Sequence, residues 1–109
     1  WSRNKKQEYD LLLYVANWPE VRTAAWEKLL YARAIENQCY VAAVNRIGID
    51  GEGVNCNGNS MLIDPKGKLI WKASNQKEAT KSVNLNFDIL NSFREKFPVG
   101  MDADDFEVR

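Results

Sequence analysis

A chain of 109 residues with 45% hydrophobic side chains has room for one packed core and too much apolar content for disorder. Fifteen basic and fifteen acidic residues cancel, which leaves no electrostatic footprint for nucleic acid or an anionic membrane surface. No apolar run approaches the ~20 residues of a transmembrane helix, and the lack of any histidine excludes Cys/His catalysis, Ser/His catalysis and histidine metal sites within this chain. Two cysteines, Cys39 and Cys56, do not make a disulfide framework, so a reducing cytoplasm is the expected compartment. Cys39, beside Tyr40 and Val41, reads as a small buried hydrophobe. The chain opens Trp1-Ser2-Arg3-Asn4 with neither an initiator methionine nor a visible signal peptide, and is expected to be processed or part of a longer protein.

In chain order, the apolar run over residues 10–16 predicts a strand buried on both faces, ended by Asn17-Trp18-Pro19. A helix is expected from about Val21 to Gln38, with Ala25, Trp26, Leu29, Leu30 and Ala32 on its apolar face and Glu27, Lys28 and Tyr31 pointing away. Tyr40 to Ile47 predicts a second strand covered on both sides, and the three glycines of residues 48–53 a loop. Residues 60–64 and 69–73 flank Pro65-Lys66-Gly67, a turn of the Asp-Pro-x-Gly kind, and predict a hairpin. Residues 79–87 read as one more strand, with Val83, Leu85 and Phe87 on one face; a last helix runs from about Asp88 to Lys96. The predicted order is β-α-β-β-β-β-α, with a domain over residues 1–98 and an acidic tail over 99–109 that packs on the domain or on a partner subunit. Two doubly covered strands need layers on both sides of the sheet, and this chain has too few helices to supply both.

Several polar residues stand out against this frame. Arg33, Glu36 and Asn37 fall on the apolar side of their helix, between the directions of Leu29, Trp26 and Leu30. Charges there are costly to bury unless paired, and a spacing of three lets Arg33 reach Glu36. Either they form a polar network supporting an active site or a subunit interface, or the helix end reaches solvent. Asn17 and Trp18 sit at the C-terminal end of the first strand, where α/β sheets place ligands; the alternative is a turn followed by a core tryptophan. Asn45 and Arg46 end an apolar strand, and Arg46 has the fork geometry for a carboxylate, although a surface salt bridge is the simpler expectation. Cys56 lies in the loop Gly53-Val-Asn-Cys-Asn-Gly58 with no lysine or histidine nearby to lower its pKa, so it reads as a structural or incidental thiol.

Taken together, Tyr14-Val-Ala-Asn-Trp-Pro19, Trp26-x-x-Leu-Leu-x-Ala-Arg-Ala-Ile-Glu-Asn-Gln38 and Tyr40-Val-Ala-Ala-Val-Asn-Arg-Ile-Gly-x-Asp-Gly51 resemble the nitrilase superfamily of carbon–nitrogen hydrolases in order and spacing. Gly58-x-Ser60, Asp64-Pro-x-Gly67 and Phe97-Pro-x-x-x-Asp-Ala-Asp-x-Phe106 extend the resemblance over essentially the whole chain. The Ala-Asn-Trp-Pro and Asp-Ala-Asp segments look most like bacterial omega-amidases; Ala25 departs from the histidine that many of them carry before the helix tryptophan.

The resemblance implies the C-terminal half of an α-β-β-α four-layer sandwich, an α/β fold. It implies hydrolysis of the terminal amide of 2-oxo acid ω-amides by a Glu–Lys–Cys triad, through a cysteine thioester and without a cofactor or metal. All three triad residues are expected upstream of Trp1, so no catalytic residue is assigned within this chain. By the same resemblance the loop at Asn17 and Trp18 faces the nucleophile, Asn17 offering polar contacts and Trp18 a wall of the acyl pocket. The implied partners are a small amide substrate, the N-terminal half of the same enzyme, and a second copy in a homodimer contacted through the helix of Arg33, Glu36 and Asn37. Another amidase or carbamoylase of the superfamily, or a non-catalytic fragment serving as a binding module, is the alternative.

Overall fold

Alternation of side chains along Leu11–Ala16 sends Leu12, Tyr14 and Ala16 to one side and Leu13 and Val15 to the other, and this segment forms strand β1. The computed structural model describes residues 3–107 and 109. From β1 the chain passes through Pro19 and a 3-10 turn at Glu20–Arg22 into helix α1 (Thr23–Asn37), then into strand β2 (Tyr40–Asn45). β2 lies parallel to β1, in register from Leu11 opposite Tyr40 to Ala16 opposite Asn45, so α1 is the crossover that a parallel pair requires. α1 starts two residues later than Val21, because Glu20–Arg22 adopts the tighter turn.

The helix ends where Gln38 turns into the left-handed region at φ 45°, its N–H donating to the carbonyls of Ala34 and Ile35. A residue other than glycine is strained there by roughly 1–2 kcal/mol. Gln38 is held by both of its amides: its side-chain Nε2 donates to Phe97 O at 2.7 Å, and its carbonyl accepts from Arg94 Nε at 3.0 Å.

Beyond Asn45 the expected continuous strand breaks at Arg46. Ile47–Ile49 (β3) pairs antiparallel with Asn55–Asn57 (β4), so the expected glycine loop is a small hairpin. Its turn is closed by the Asp50 carboxylate, which accepts from Glu52 N–H and Val54 N–H, both at 2.9 Å. The second hairpin, β5 (Met61–Ile63) and β6 (Leu69–Lys72), forms as expected about Asp64-Pro-Lys-Gly67. Asp64 accepts from Lys66 N–H and Lys68 N–H, and Gly67 supplies φ +81°. The main sheet runs β1-β2-β5-β6.

Residues 79–87 do not form the expected strand. Val83 and Leu85 do alternate with exposed neighbours, but the segment crosses the sheet without joining its ladder, and Phe87 already opens helix α2 (Phe87–Lys96). Alternation reports which side of an extended segment is covered, and says nothing of a hydrogen-bonded neighbour. α2 is capped by Asn86, whose side chain accepts from Asp88 N–H and Ile89 N–H.

The core lies between α1 and one face of the sheet: Trp26, Leu30 and Ala34 pack on Cys39, Val41, Ala43, Met61 and Ile63. The buried stripe of α1 is Trp26, Leu30, Ala34 and Asn37, so Leu29 and Ala32, expected on it, are exposed instead, whereas Tyr31 packs against the core. The other face of the sheet is covered in part, by the segment carrying Val83 and Leu85 and by Phe87 against Tyr40, and stays open at Leu13, Val15 and Val44, which are 67%, 89% and 57% exposed, in keeping with a missing second layer. No helix among the described residues is long and apolar enough to cross a membrane.

Candidate functional site

The parallel strands β1 and β2 end side by side at Ala16 and Asn45, and the residues just past them converge. Trp18 N–H donates to Asn45 Oδ1 at 2.7 Å, and Asn45 Nδ2 donates back to Trp18 O at 3.1 Å and to Gly58 O at 2.9 Å. Asn45 N–H donates to Ser60 Oγ at 3.0 Å. Asn45 itself is buried. Gly58 stands at φ +75° where an added Cβ would lie 2.8 Å from Ile47 Cγ2, which is what lets its carbonyl approach so closely.

The Trp18 ring is fixed independently. Its indole N–H donates to Arg22 O at 2.7 Å, the Arg22 guanidinium lies 4.9 Å from the ring centre, and the ring tilts at 43° against Trp26 with centroids 5.7 Å apart. Trp26 in turn donates its indole N–H to Asn59 O at 2.9 Å. Beside these rings is a cleft of about 140 Å³ lined by Tyr14, Trp18, Trp26, Leu29, Leu30 and Arg33. It is apolar with one cation at its margin. Asn17 is exposed, and its side chain has no hydrogen-bond partner among the described residues.

Arg33 and Glu36 meet as their spacing predicts, Nη1 to Oε1 at 2.5 Å, and a third member joins them: Arg3 reaches the other Glu36 oxygen at 3.2 Å. The bond to Glu36 holds the Arg33 guanidinium above its ordinary pKa. The two side chains are 35% and 28% exposed in this chain, while Asn37 is buried. Asn37 Oδ1 accepts from Asn4 N–H at 2.9 Å and its carbonyl from Asn4 Nδ2 at 3.2 Å, so the end of α1 grips the segment that leads into β1. Asn37 Nδ2 is buried without a partner among the described residues. Arg46 is exposed and forms no ion pair among the described residues, so the surface salt bridge expected of it is not made.

The sequence matches the carbon-nitrogen hydrolase family over residues 1–95. The chain belongs to the carbon–nitrogen hydrolases. It is 48% identical over 108 residues to the omega-amidase YafV of Escherichia coli K12, covering 99% of this chain and 42% of that protein. A 2-oxoglutaramate amidase of Paenarthrobacter nicotinovorans is 43% identical over 84 residues, which is 77% of this chain and 28% of that protein. Among solved structures, a carbon–nitrogen hydrolase superfamily protein of Xanthomonas campestris with an arsenic adduct in its active site superposes with a TM-score of 0.93 at 38% identity, over 99% of this chain and 43% of that one. The NitFhit protein of Caenorhabditis elegans gives 0.75 at 32% identity, over 92% and 24%. The chain thus spans under half the length of the relatives it matches.

Neither cysteine of this carbon–nitrogen hydrolase chain is placed to act as a nucleophile. Cys39 is fully buried in the core, and burial pushes its thiol up to about 11. Cys56 is 1% exposed, in a strand bridged to Pro19. A nucleophilic thiol needs access and a lowered pKa. Asn45 carries the site although the sequence points first to its neighbour Arg46; the signal for it is a carboxamide ending an apolar strand, a buried polar group that must find partners.

Proposed function

We propose that this chain is the C-terminal part of an amidase that hydrolyses the terminal amide of 2-oxo acid ω-amides, of the 2-oxoglutaramate type, to carboxylate and ammonia. The observation that carries this reading is 48% identity across 99% of the chain to an omega-amidase. In the mechanism, a cysteine thiolate attacks the amide carbon, and a lysine and a backbone N–H stabilise the oxyanion. The glutamate, having taken the proton of the cysteine thiol, passes it to the departing nitrogen as the C–N bond breaks and ammonia leaves; water, deprotonated by the same glutamate, then opens the thioester, and the proton returns to the released thiolate. Those three groups belong to the segment preceding Trp1; this chain contributes Trp18 as a wall of the acyl pocket and Asn17 as a polar contact.

The open sheet face supports a docked N-terminal half of the same enzyme, and the exposed Leu29 and Ile35 on α1 support a homodimer through that helix, with Arg33, Glu36 and Asn37 at the contact. Residues 1–98 act as part of the hydrolase domain and 99–109 as a tail on it, a division supported by Lys5, whose Nζ donates to Phe106 O at 3.0 Å and lies 4.1 Å from its ring centre. Two unpaired buried thiols fit the reducing cytoplasm. The full-length protein is expected to release ammonia from 2-oxoglutaramate in preference to glutamine, and the isolated chain from neither. Turnover by the isolated chain that survives Cys56→Ser overturns the reading, as does an upstream sequence without the glutamate, lysine and cysteine.

A further inference from the structure

We infer that Asn45 is a positioning residue for substrate binding: acting through the backbone of Trp18, its carboxamide sets the wall of the cleft. This rests on the reading of Trp18 as part of the acyl pocket. A carboxamide has one acceptor and two donors, and here each has its own partner: Trp18 N–H on the oxygen, Trp18 O and Gly58 O on the nitrogen. In a parallel ladder the N–H and the carbonyl of one residue go to two different residues of the neighbouring strand, and here the one carboxamide takes both. Asn45 thereby ties the two strands together by a side chain, two residues beyond Ala16, where the backbone register with Asn45 stops. The second donor ties in the Gly58 turn, and Ser60 Oγ holds the Asn45 backbone.

Other side chains do not reproduce this set. Aspartate keeps the acceptor and loses both donors, serine does not reach, and glutamine is one methylene too long for a site 6% exposed. The indole N–H stays tethered to Arg22 O, so loss of the carboxamide frees the backbone of the loop and shifts the ring about that tether, without removing the ring.

The test is steady-state kinetics of the full-length enzyme on its amide substrate, with active sites titrated, for Asn45→Asp and Trp18→Ala. A purely structural role lowers the active fraction and leaves KM alone. The positioning role raises KM of Asn45→Asp roughly tenfold, the weight of one buried hydrogen bond, with kcat per titrated site little changed. Relative to the parent enzyme, that KM falls back at acid pH, where the new carboxyl gains a proton to donate. Should Asn45→Asp not fold, Ser60→Ala releases the Asn45 N–H and gives a smaller rise in KM. If Trp18→Ala raises KM and neither Asn45→Asp nor Ser60→Ala does, the positioning role is wrong. If Trp18→Ala leaves KM unchanged, the pocket reading fails and the inference with it.

Discussion

Glu36 receives Arg33 on one carboxylate oxygen and Arg3 on the other, while remaining 28% exposed in this chain. At a surface such a pair contributes about 0.2–1 kcal/mol. Under a second subunit it is desolvated, and removing one member leaves the other stranded at a cost of about 3–5 kcal/mol. The proposed dimer requires the larger figure. In the full-length protein Glu36→Ala should lower the melting temperature strongly and shift sedimentation toward monomer or aggregate, and Arg33→Ala plus Glu36→Ala together should cost less than their sum. An unchanged melting temperature and sedimentation profile would put the cluster on the surface. The pairing of Arg33 with Glu36 was legible from their helical spacing, whereas Arg3, thirty-three positions from Glu36, has no local signature and is brought there by the fold. The same holds for Asn45, whose partners lie 13, 15 and 27 positions away.

At the scale of elements, the turn of hairpin β5–β6 meets α1 at a glycine. Gly67 sits at φ +81°, and a Cβ there would come within 2.6 Å of Ile35 Cγ1. The backbone strain of an L-residue at that angle is about 1–2 kcal/mol, and the displaced isoleucine adds to it. In the full-length protein Gly67→Ala should lower the denaturant midpoint accordingly. Equal midpoints for Gly67→Ala and the parent would refute the left-handed turn. This hairpin was readable because its turn chemistry is local. The β3–β4 hairpin was not, since strands of three residues are too short for any period and the glycines of its turn dominate the pattern. The misread strand over 79–87 has the opposite cause, a true alternation without a partner.

For the whole molecule, the deciding feature is a sheet with α1 on one face and, on the other, a partial cover that leaves Leu13, Val15 and Val44 bare. The need for a further layer was visible in the sequence, from strands apolar on both faces and too few helices to cover them. Which face stays open was not, because it depends on the side α1 crosses. The 109-residue chain expressed alone is expected to aggregate or to bind hydrophobic dyes without cooperative unfolding. A sharp thermal transition with monomeric sedimentation would mean that the fold is complete as it stands.

Arg94 closes this structure from far along the chain. Its guanidinium donates to Gln38 O at 3.0 Å, Asp10 Oδ1 at 2.6 Å and Tyr9 O at 2.9 Å, across separations of 56, 84 and 85 residues. On a ribosome adding about 5–20 residues per second, the carbonyl of Tyr9 is made roughly 4–17 s before its donor. Until then Tyr9 O has Asn4 Nδ2 at 2.8 Å, while the Gln38 carbonyl at the strained end of α1 must lean on water. The last helix is thus a latch that falls late, and the earlier two-thirds of the chain has to wait for it in a half-shut state.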